Sequence, residues 1–106
     1  MFSDSAINAN RDALSNDLVN LASRAQQYYR RPASLGGGGE SFNELATINL
    51  LTTKPQNANG TYWIVRNAGG EGPVEIGGKG NEIFNGLPVE VHVVVYPKRD
   101  SMFTIN

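Results

Sequence analysis

The first third of the chain carries apolar side chains at every third or fourth position. Residues 4–31 contain neither Gly nor Pro, and this spacing places the apolar side chains on one face of an α-helix. Pro32 pushes the residue before it out of the helical region, so we predict a helix over about residues 4–31. The apolar face of this helix consists of Leu14, Leu18, Leu21, Ala25 and Tyr28.

The predicted helix is longer than a domain of this size is wide. At 1.5 Å per residue it measures about 40 Å, whereas a chain of this length has a radius of gyration of about 13 Å. We therefore expect the start of the helix to project from the domain.

Two less regular stretches follow the helix. Residues 32–44 form a glycine-rich connection that includes Gly36, Gly37, Gly38 and Gly39. Four consecutive glycines are costly to order, so they form either a flexible linker or a loop packed against another backbone. Residues 45–59 form an irregular segment, whose leucines fit either a short helical turn or an irregular packed stretch.

Beyond Pro55 the apolar pattern changes to a period of two, which is typical of β-strands. Strands are predicted over residues 61–66, 74–76, 89–96 and 102–105, with a further short piece at residues 82–84. The Gly-Gly-Lys-Gly run at residues 77–80 ends the second of these strands, because glycine weakens a strand interior. In the strongest strand, alternate valines share one face and His92 lies on the other.

A helix followed by strands indicates an α+β domain with a long N-terminal helix packed across a small antiparallel β-sheet. The sheet is expected over residues 60–106. Its valine-rich face is the natural partner of the apolar face of the helix. The predicted helix–sheet packing face is Leu14, Leu18, Leu21, Ala25, Tyr28, Val91, Val93 and Val95.

Composition and charge narrow the class of protein. The 106 residues suit one domain, residues 1–106. Nine Lys and Arg against ten Asp and Glu give a net charge of −1, which argues against a nucleic-acid partner. No cysteine is present, which excludes disulfides, thiolate metal sites and a cysteine nucleophile. No apolar run approaches the roughly 20 residues of a membrane span, and no signal-peptide pattern is found.

Candidate chemistry is sparse. His92 beside Glu90 resembles a base with an orienting carboxylate, but no nucleophile or further metal ligand lies nearby in sequence, so we interpret His92 as a surface or edge histidine. The glycine run lacks the Lys and Ser or Thr of a Walker loop, because Glu40 follows it. The acidic residues form no two-carboxylate motif. We therefore predict no enzymatic activity, no metal and no cofactor.

Two further motifs have simple interpretations. Asn59 begins an Asn-Gly-Thr sequon, which makes it a candidate exposed attachment point for a glycan, although Asn-Gly is already explained by a turn. The Tyr-Tyr-Arg-Arg run at residues 28–31 could form a basic, aromatic recognition patch. We interpret it instead as the end of the helix, where the arginines offset the helix dipole.

One stretch of the sequence resembles a known family. Residues 18–32 read Leu-Val-Asn-Leu-Ala-Ser-Arg-Ala-Gln-Gln-Tyr-Tyr-Arg-Arg-Pro, and residues 36–42 read Gly-Gly-Gly-Gly-Glu-Ser-Phe. Both resemble small bacterial pilin-like proteins, and the predicted layout is similar to the globular domain of type IV pilins and pseudopilins. The resemblance covers residues 1–42 well, and the sheet only in pattern. The cysteine pair of many pilins and the acidic calcium site of major pseudopilins have no counterpart here.

The resemblance implies a structural subunit of a type IV pilus-like or type II secretion-like filament, without catalysis, in the cell envelope or an extracellular filament. In that family an apolar helical half precedes a stretch like residues 1–21, so we expect this chain to be the soluble part of a membrane-anchored precursor. Expected partners are copies of itself or other pilin-like subunits, with the membrane reached only through that preceding segment. Candidate subunit contacts are Gly36, Gly37, Gly38, Gly39 and Phe42.

An alternative hypothesis is a small extracellular binding module that uses the loops around residues 69–80. It requires a concave surface lined by Tyr62 or Trp63, and a Trp63 buried in the core would remove its main feature. The filament hypothesis instead requires one continuous helix over residues 5–31 with exposed N-terminal turns, and a helix broken near Asn16 would count against it. An enzyme would need His92, a carboxylate and a nucleophile in one pocket.

Overall fold

The structure, a computed structural model, describes residues 2–106, with side chains from Ser5 onward. A helix is followed by four strands that form one antiparallel sheet in the order β1-β2-β3-β4, and the helix packs against its central strands. The predicted α+β arrangement is thus confirmed. The elements are α1 (Phe2–Arg30), two single 3₁₀ turns (Ala33–Leu35 and Ile48–Leu50), β1 (Gly60–Asn67), β2 (Val74–Phe84), β3 (Leu87–Val95) and β4 (Asp100–Thr104).

A single apolar core lies between α1 and the inner face of the sheet. Burying one large aliphatic side chain contributes about 1.5–3 kcal/mol, so this apolar core supplies the main attraction between helix and sheet. The helix contributes Ile7, Leu14, Leu18, Leu21, Ala22, Ala25 and Tyr28. The sheet contributes Tyr62, Val74, Ile76, Val89, Val91, Val93 and Val95, all 3 % exposed or less.

The start of α1 overhangs the sheet much less than the sequence led us to expect. Ile7 is already buried, with 6 % of its surface exposed, and the guanidinium of Arg11 lies 4.8 Å from the ring centre of Phe84. The reason is the length of β2, which has 11 residues and therefore spans about 36 Å. The hairpin of β2 and β3 covers the helix almost to its first turn, and the molecule measures 51 × 22 × 18 Å.

Strand β2 continues through the glycine run that was predicted to end it. Gly77 pairs with Trp63 and Gly78 with Tyr62 on β1. A Cβ atom on Gly77 would lie 2.7 Å from the Trp63 ring, and one on Gly78 would lie 2.8 Å from the Tyr62 ring. Each aromatic ring therefore occupies the space above its glycine partner, which is how a cross-strand aromatic compensates for a missing side chain.

The four-glycine segment is a loop packed against the end of α1, not a flexible linker. The backbone N–H of Gly38 donates to the carbonyl of Tyr28 (2.8 Å), that of Gly39 to Arg31 (2.9 Å) and that of Glu40 to Tyr29 (2.7 Å). These bonds satisfy carbonyls that a helix C-terminus otherwise leaves without partners. A Cβ on Gly38 would collide with the carbonyl of Ser41, so the close approach requires glycine.

Phe42 is not available as a subunit contact. Its side chain is completely buried, its ring centre lies 5.0 Å from that of Tyr29, and its carbonyl accepts from the side-chain amide of Asn67 (2.8 Å). The glycine loop bends the chain back under β1, so the apolar residue that follows it enters the core. Of the four glycines, Gly36 and Gly39 are exposed, whereas Gly37 and Gly38 face their own helix.

The irregular segment, residues 45–59, contains one short helical turn, the 3₁₀ turn Ile48–Leu50. The rest of the segment is an irregular stretch, so both alternatives predicted for it are present. Leu45 and Leu51 are buried and anchor the segment to the core. Leu50 is 53 % exposed.

Candidate functional site

The outer face of the sheet, opposite α1, carries a buried charged cluster around His92. The Nδ1 atom of His92 lies 2.6 Å from Oε2 of Glu75, and its Nε2 lies 2.6 Å from Oε2 of Glu90. Arg66 donates from Nε to Oε1 of Glu75 at 2.8 Å. All three ion pairs formed within residues 2–106 belong to this cluster.

Two aromatic rings shield the imidazole from solvent. The ring centre of Trp63 lies 5.8 Å from that of His92 at an angle of 88°, and the ring of Phe103 lies 5.6 Å away on the other side. Because Gly77 carries no side chain, Trp63 lies directly on the sheet beside His92. Only 6 % of the surface of His92 is exposed. Its interpretation as a surface or edge histidine was therefore wrong.

The geometry of the cluster limits its chemistry. Each ring nitrogen of His92 has a carboxylate oxygen within hydrogen-bond distance, so both ring nitrogens have partners. Hydrogen bonding to Arg66 and then to His92 lowers the pKa of the Glu75 carboxyl. The carboxylates lie on opposite sides of the ring and cannot converge on one ion, and residues 5–106 contain no group of three potential ligands arranged to hold a metal. None of the partners of the ring is a Ser, Thr, Cys or Lys side chain. The cluster fixes the orientation of the ring.

A second polar cluster, formed by Asp17, Asn57, Asn59 and Tyr62, joins α1 to β1 and the chain before it. One carboxylate oxygen of Asp17 accepts from the side-chain amides of Asn57 and Asn59, each at 3.0 Å, and from the hydroxyl of Tyr62. Burial raises the pKa of the Asp17 carboxyl, but the hydrogen bonds from Tyr62, Asn59 and Asn57 together lower it below its ordinary value. Nothing in the sequence linked position 17 to positions 57–62, because the contact is purely tertiary.

This second polar cluster changes the predicted roles of Tyr62 and Asn59. Tyr62 is 3 % exposed, and burial followed by its bond to Asp17 raises the pKa of its phenol. Tyr62 therefore belongs mainly to the core, although it also lines a small groove of about 220 Å³ beside Asp17 and Asn57, away from the loops around residues 69–80. The Nδ2 atom of Asn59, to which a glycan would be attached, instead donates to Asp17. Asn59 is half-buried and is not the exposed attachment point that its sequon indicated.

A sizeable concavity lies at the end of the molecule where α1 finishes. This groove has a volume of about 550 Å³, within the range of small-molecule sites. Four separate segments form it: the last turn of α1, the end of the glycine loop, the β1–β2 loop and the β3–β4 turn. Its lining residues are Tyr29, Arg30, Glu40, Glu71, Tyr96, Pro97, Lys98 and Arg99.

The helical part of this groove, Tyr29 and Arg30, belongs to the basic and aromatic run at residues 28–31, which was considered as a recognition patch and interpreted instead as the end of the helix. The β3–β4 turn completes it. The side-chain amide of Gln26 donates to the carbonyls of Tyr96 (3.1 Å) and Arg99 (3.2 Å), which fixes that turn against the helix. Trp63 lines none of the grooves found within residues 2–106.

Comparison with known proteins gives no relatives: no protein-family model, no curated protein and no solved structure matches the chain. Among residues 2–106, no helix combines the length and the apolar character that crossing a membrane requires.

Proposed function

We propose that the protein is a structural subunit of a type IV pilus-like or type II secretion-like filament, located in the cell envelope or an extracellular filament. The observation that carries this proposal is α1, an unbroken helix of 29 residues with one face buried along the whole sheet. The helix does not break near Asn16, the position at which a break would have counted against it. Its N-terminal turns are exposed on one face only, because Ile7 on the other face is buried against the sheet.

The other face of α1 supports the same function. It is exposed and consists mainly of small or polar side chains: Ala9, Asp12, Asn16, Asn20, Ser23 and Gln27. Small side chains let neighbouring helices approach closely, and polar side chains keep this face compatible with water before assembly. The partners are copies of this chain or other pilin-like subunits, and the membrane is reached only through an apolar segment preceding the helix.

The residues that carry the resemblance also have a physical role in the fold. Tyr28 is buried in the core, Pro32 accepts backbone hydrogen bonds from Leu35 and Gly37, and the glycines that follow cap the helix. The stretch that resembles pilin-like proteins therefore corresponds to one structural unit, a helix end with its cap.

The test uses the complete gene, read upstream of Met1, in a host with a filament-assembly system. Because the chain has no cysteine, single substitutions Asn16→Cys and Asn20→Cys on the exposed helix face report on subunit contacts. Ser101→Cys, exposed on the opposite side of the molecule, is the matched control. We expect filaments containing the protein in negative-stain electron microscopy, and intersubunit cross-links from the helix positions only.

Three results would overturn the proposal. One is a stop codon directly upstream in place of an apolar stretch. Another is the absence of the protein from filaments although it is expressed stably. The third is cross-linking that is as efficient at position 101 as at positions 16 and 20.

A further inference from the structure

The groove at the end of α1 contains charged side chains that form no ion pair or side-chain hydrogen bond with the rest of the fold that the structure describes. Arg30, Glu40, Glu71, Lys98 and Arg99 all line it. Within residues 2–106 none of the five forms an ion pair, and none of their side chains makes a hydrogen bond. Five ionic groups around one concave surface, three positive and two negative, are therefore available to a ligand.

Glu40 stands out by its backbone conformation. Its φ angle is 62°, in the left-handed region, which residues other than Gly, Asn and Asp adopt rarely. The helix cap imposes this conformation, because the N–H of Glu40 donates to the carbonyl of Tyr29. Gly or Asn would satisfy the cap with less strain. Strained residues that persist are concentrated at ligand sites, and the Glu40 side chain lines the groove.

Two tyrosines provide apolar surface between the charged groups. Tyr29 is half-buried and packs on Phe42, so its position is fixed by the core. Tyr96 is half-buried and has the guanidinium of Arg99 at 4.0 Å from its ring centre. Burial, followed by the charges of Glu71 and Glu40, raises the pKa of the Tyr29 phenol. The phenol remains protonated and can donate a hydrogen bond.

These features select among ligand classes. An apolar peptide anchor is disfavoured, because Pro97 is the only aliphatic residue in the lining. A phosphate dianion is disfavoured because its two negative charges exceed the net charge of +1 that the three cations and two anions of the lining provide. Sugar hydroxyls both donate and accept, so they can bond to carboxylates and to Arg or Lys at once, while the apolar side of a sugar ring packs on tyrosine. The net charge of the lining, three cations against two anions, favours a ligand with one carboxylate.

We propose that this groove is a binding site for an acidic saccharide, a sugar unit carrying one carboxylate. Lys98 and Arg30 bind the carboxylate, Glu40 and Glu71 accept hydrogen bonds from ring hydroxyls, and Tyr29 supports the ring. Every group that forms this site belongs to one chain, so binding can be tested on the unassembled protein.

The test is an amide-detected NMR titration of the protein with sodium glucuronate, with glucose and sodium acetate titrated in parallel. We expect saturable shifts at residues 29, 40, 71 and 98, with a dissociation constant in the millimolar range for glucuronate, on the order of 1 mM. Glucose should bind roughly tenfold more weakly, and acetate should give no saturable shifts in the same range, because each makes only part of the contacts.

Variants separate the two sets of contacts. Lys98→Gln should weaken glucuronate roughly tenfold and leave glucose unchanged, whereas Glu71→Gln should weaken both sugars. Glu44→Gln and Lys54→Gln, exposed positions outside the groove, are matched controls and should bind like the wild type. Unchanged thermal midpoints verify that all four variants fold.

Several results would overturn the proposal. Glucuronate could produce no saturable shifts up to roughly 50-fold above the expected constant. Acetate could reproduce the glucuronate shifts with equal affinity, which would indicate a simple anion site. Glucose could bind as tightly as glucuronate, which would remove the acidic class. Because the titration uses the unassembled chain, its outcome does not depend on whether the protein forms filaments.

Discussion

At the scale of single residues, His92 illustrates what alternation along a strand does and does not decide. The period of two correctly predicts that its side chain points away from the valine core. It does not decide exposure, because the carboxylate of Glu75 comes from β2, Trp63 from β1 and Phe103 from β4. Neighbours on three other strands bury the ring, and they are not visible from the local sequence around position 92.

The same cluster makes stability depend on pH through Glu75. Its folded-state pKa is lowered, first by Arg66 and then by His92, so its ionised form stabilises the fold above the unfolded-state value of about 4.3. This contribution is lost as the pH falls through the lower folded-state value. Glu75→Gln should therefore reduce the free energy of unfolding by about 1–3 kcal/mol at neutral pH, with a smaller difference at about pH 3.

Urea unfolding at several pH values measures this effect, and Glu82→Gln, on an exposed glutamate, is the control with an expected change below about 0.5 kcal/mol. If the free energy of unfolding of Glu75→Gln stays below that of the wild type by the same amount from neutral pH to acid, the stabilisation does not come from the ionised carboxylate.

At the scale of elements, the sequence is most informative where the pattern is local. The spacing of the leucines and the position of Pro32 predict α1 nearly to its last residue, because both act within a few positions of the chain. Strand β2 could not be predicted in full, since the rings that compensate for its glycines lie on β1, about 15 residues away, and become neighbours only in the folded sheet. The groove was missed for the same reason: its four segments span residues 29–99.

Gly77 and Gly78, two of the three glycines of β2, should differ in their tolerance to a side chain. Gly78→Ala would drive the buried Tyr62 ring into the core, and overpacking of this kind costs about 1–3 kcal/mol. Gly77→Ala would displace Trp63, which is half-buried on the open face and can move outward, so we expect a clearly smaller loss. Thermal or urea unfolding of the two variants measures both changes. A loss for Gly77→Ala equal to or larger than that for Gly78→Ala would contradict this explanation of the strand.

At the scale of the whole molecule, helix and sheet share one core and neither has another. Leu18 is completely buried, whereas its neighbour Val19 is 51 % exposed. Leu18→Ala should reduce the free energy of unfolding by about 2–5 kcal/mol, and Val19→Ala, the matched control, should change it by less than about 0.5 kcal/mol.

This shared core also predicts a single unfolding transition. Far-UV circular dichroism follows α1, and the fluorescence of Trp63, the only tryptophan, follows the sheet. We expect the two signals to change at the same urea concentration in the wild type, and at the same lower concentration in Leu18→Ala. A helix signal that is lost before the Trp63 signal would show that helix and sheet are separate units.

The hydrogen bond from Arg11 to the backbone oxygen of Asn106 (3.2 Å) brings the early part of the helix and residue 106 to the same end of the molecule. The side-chain amide of Asn106 also donates to the carbonyls of Phe84, Leu87 and Pro88 in the β2–β3 hairpin. The groove lies at the other end, about 28 Å along α1 from Arg11. A tether attached near either residue would therefore hold the molecule with its groove directed away from the support. The tether can be an affinity tag, a sensor surface or a neighbouring segment of chain. In this orientation the groove is open to large polymers as well as to single sugars.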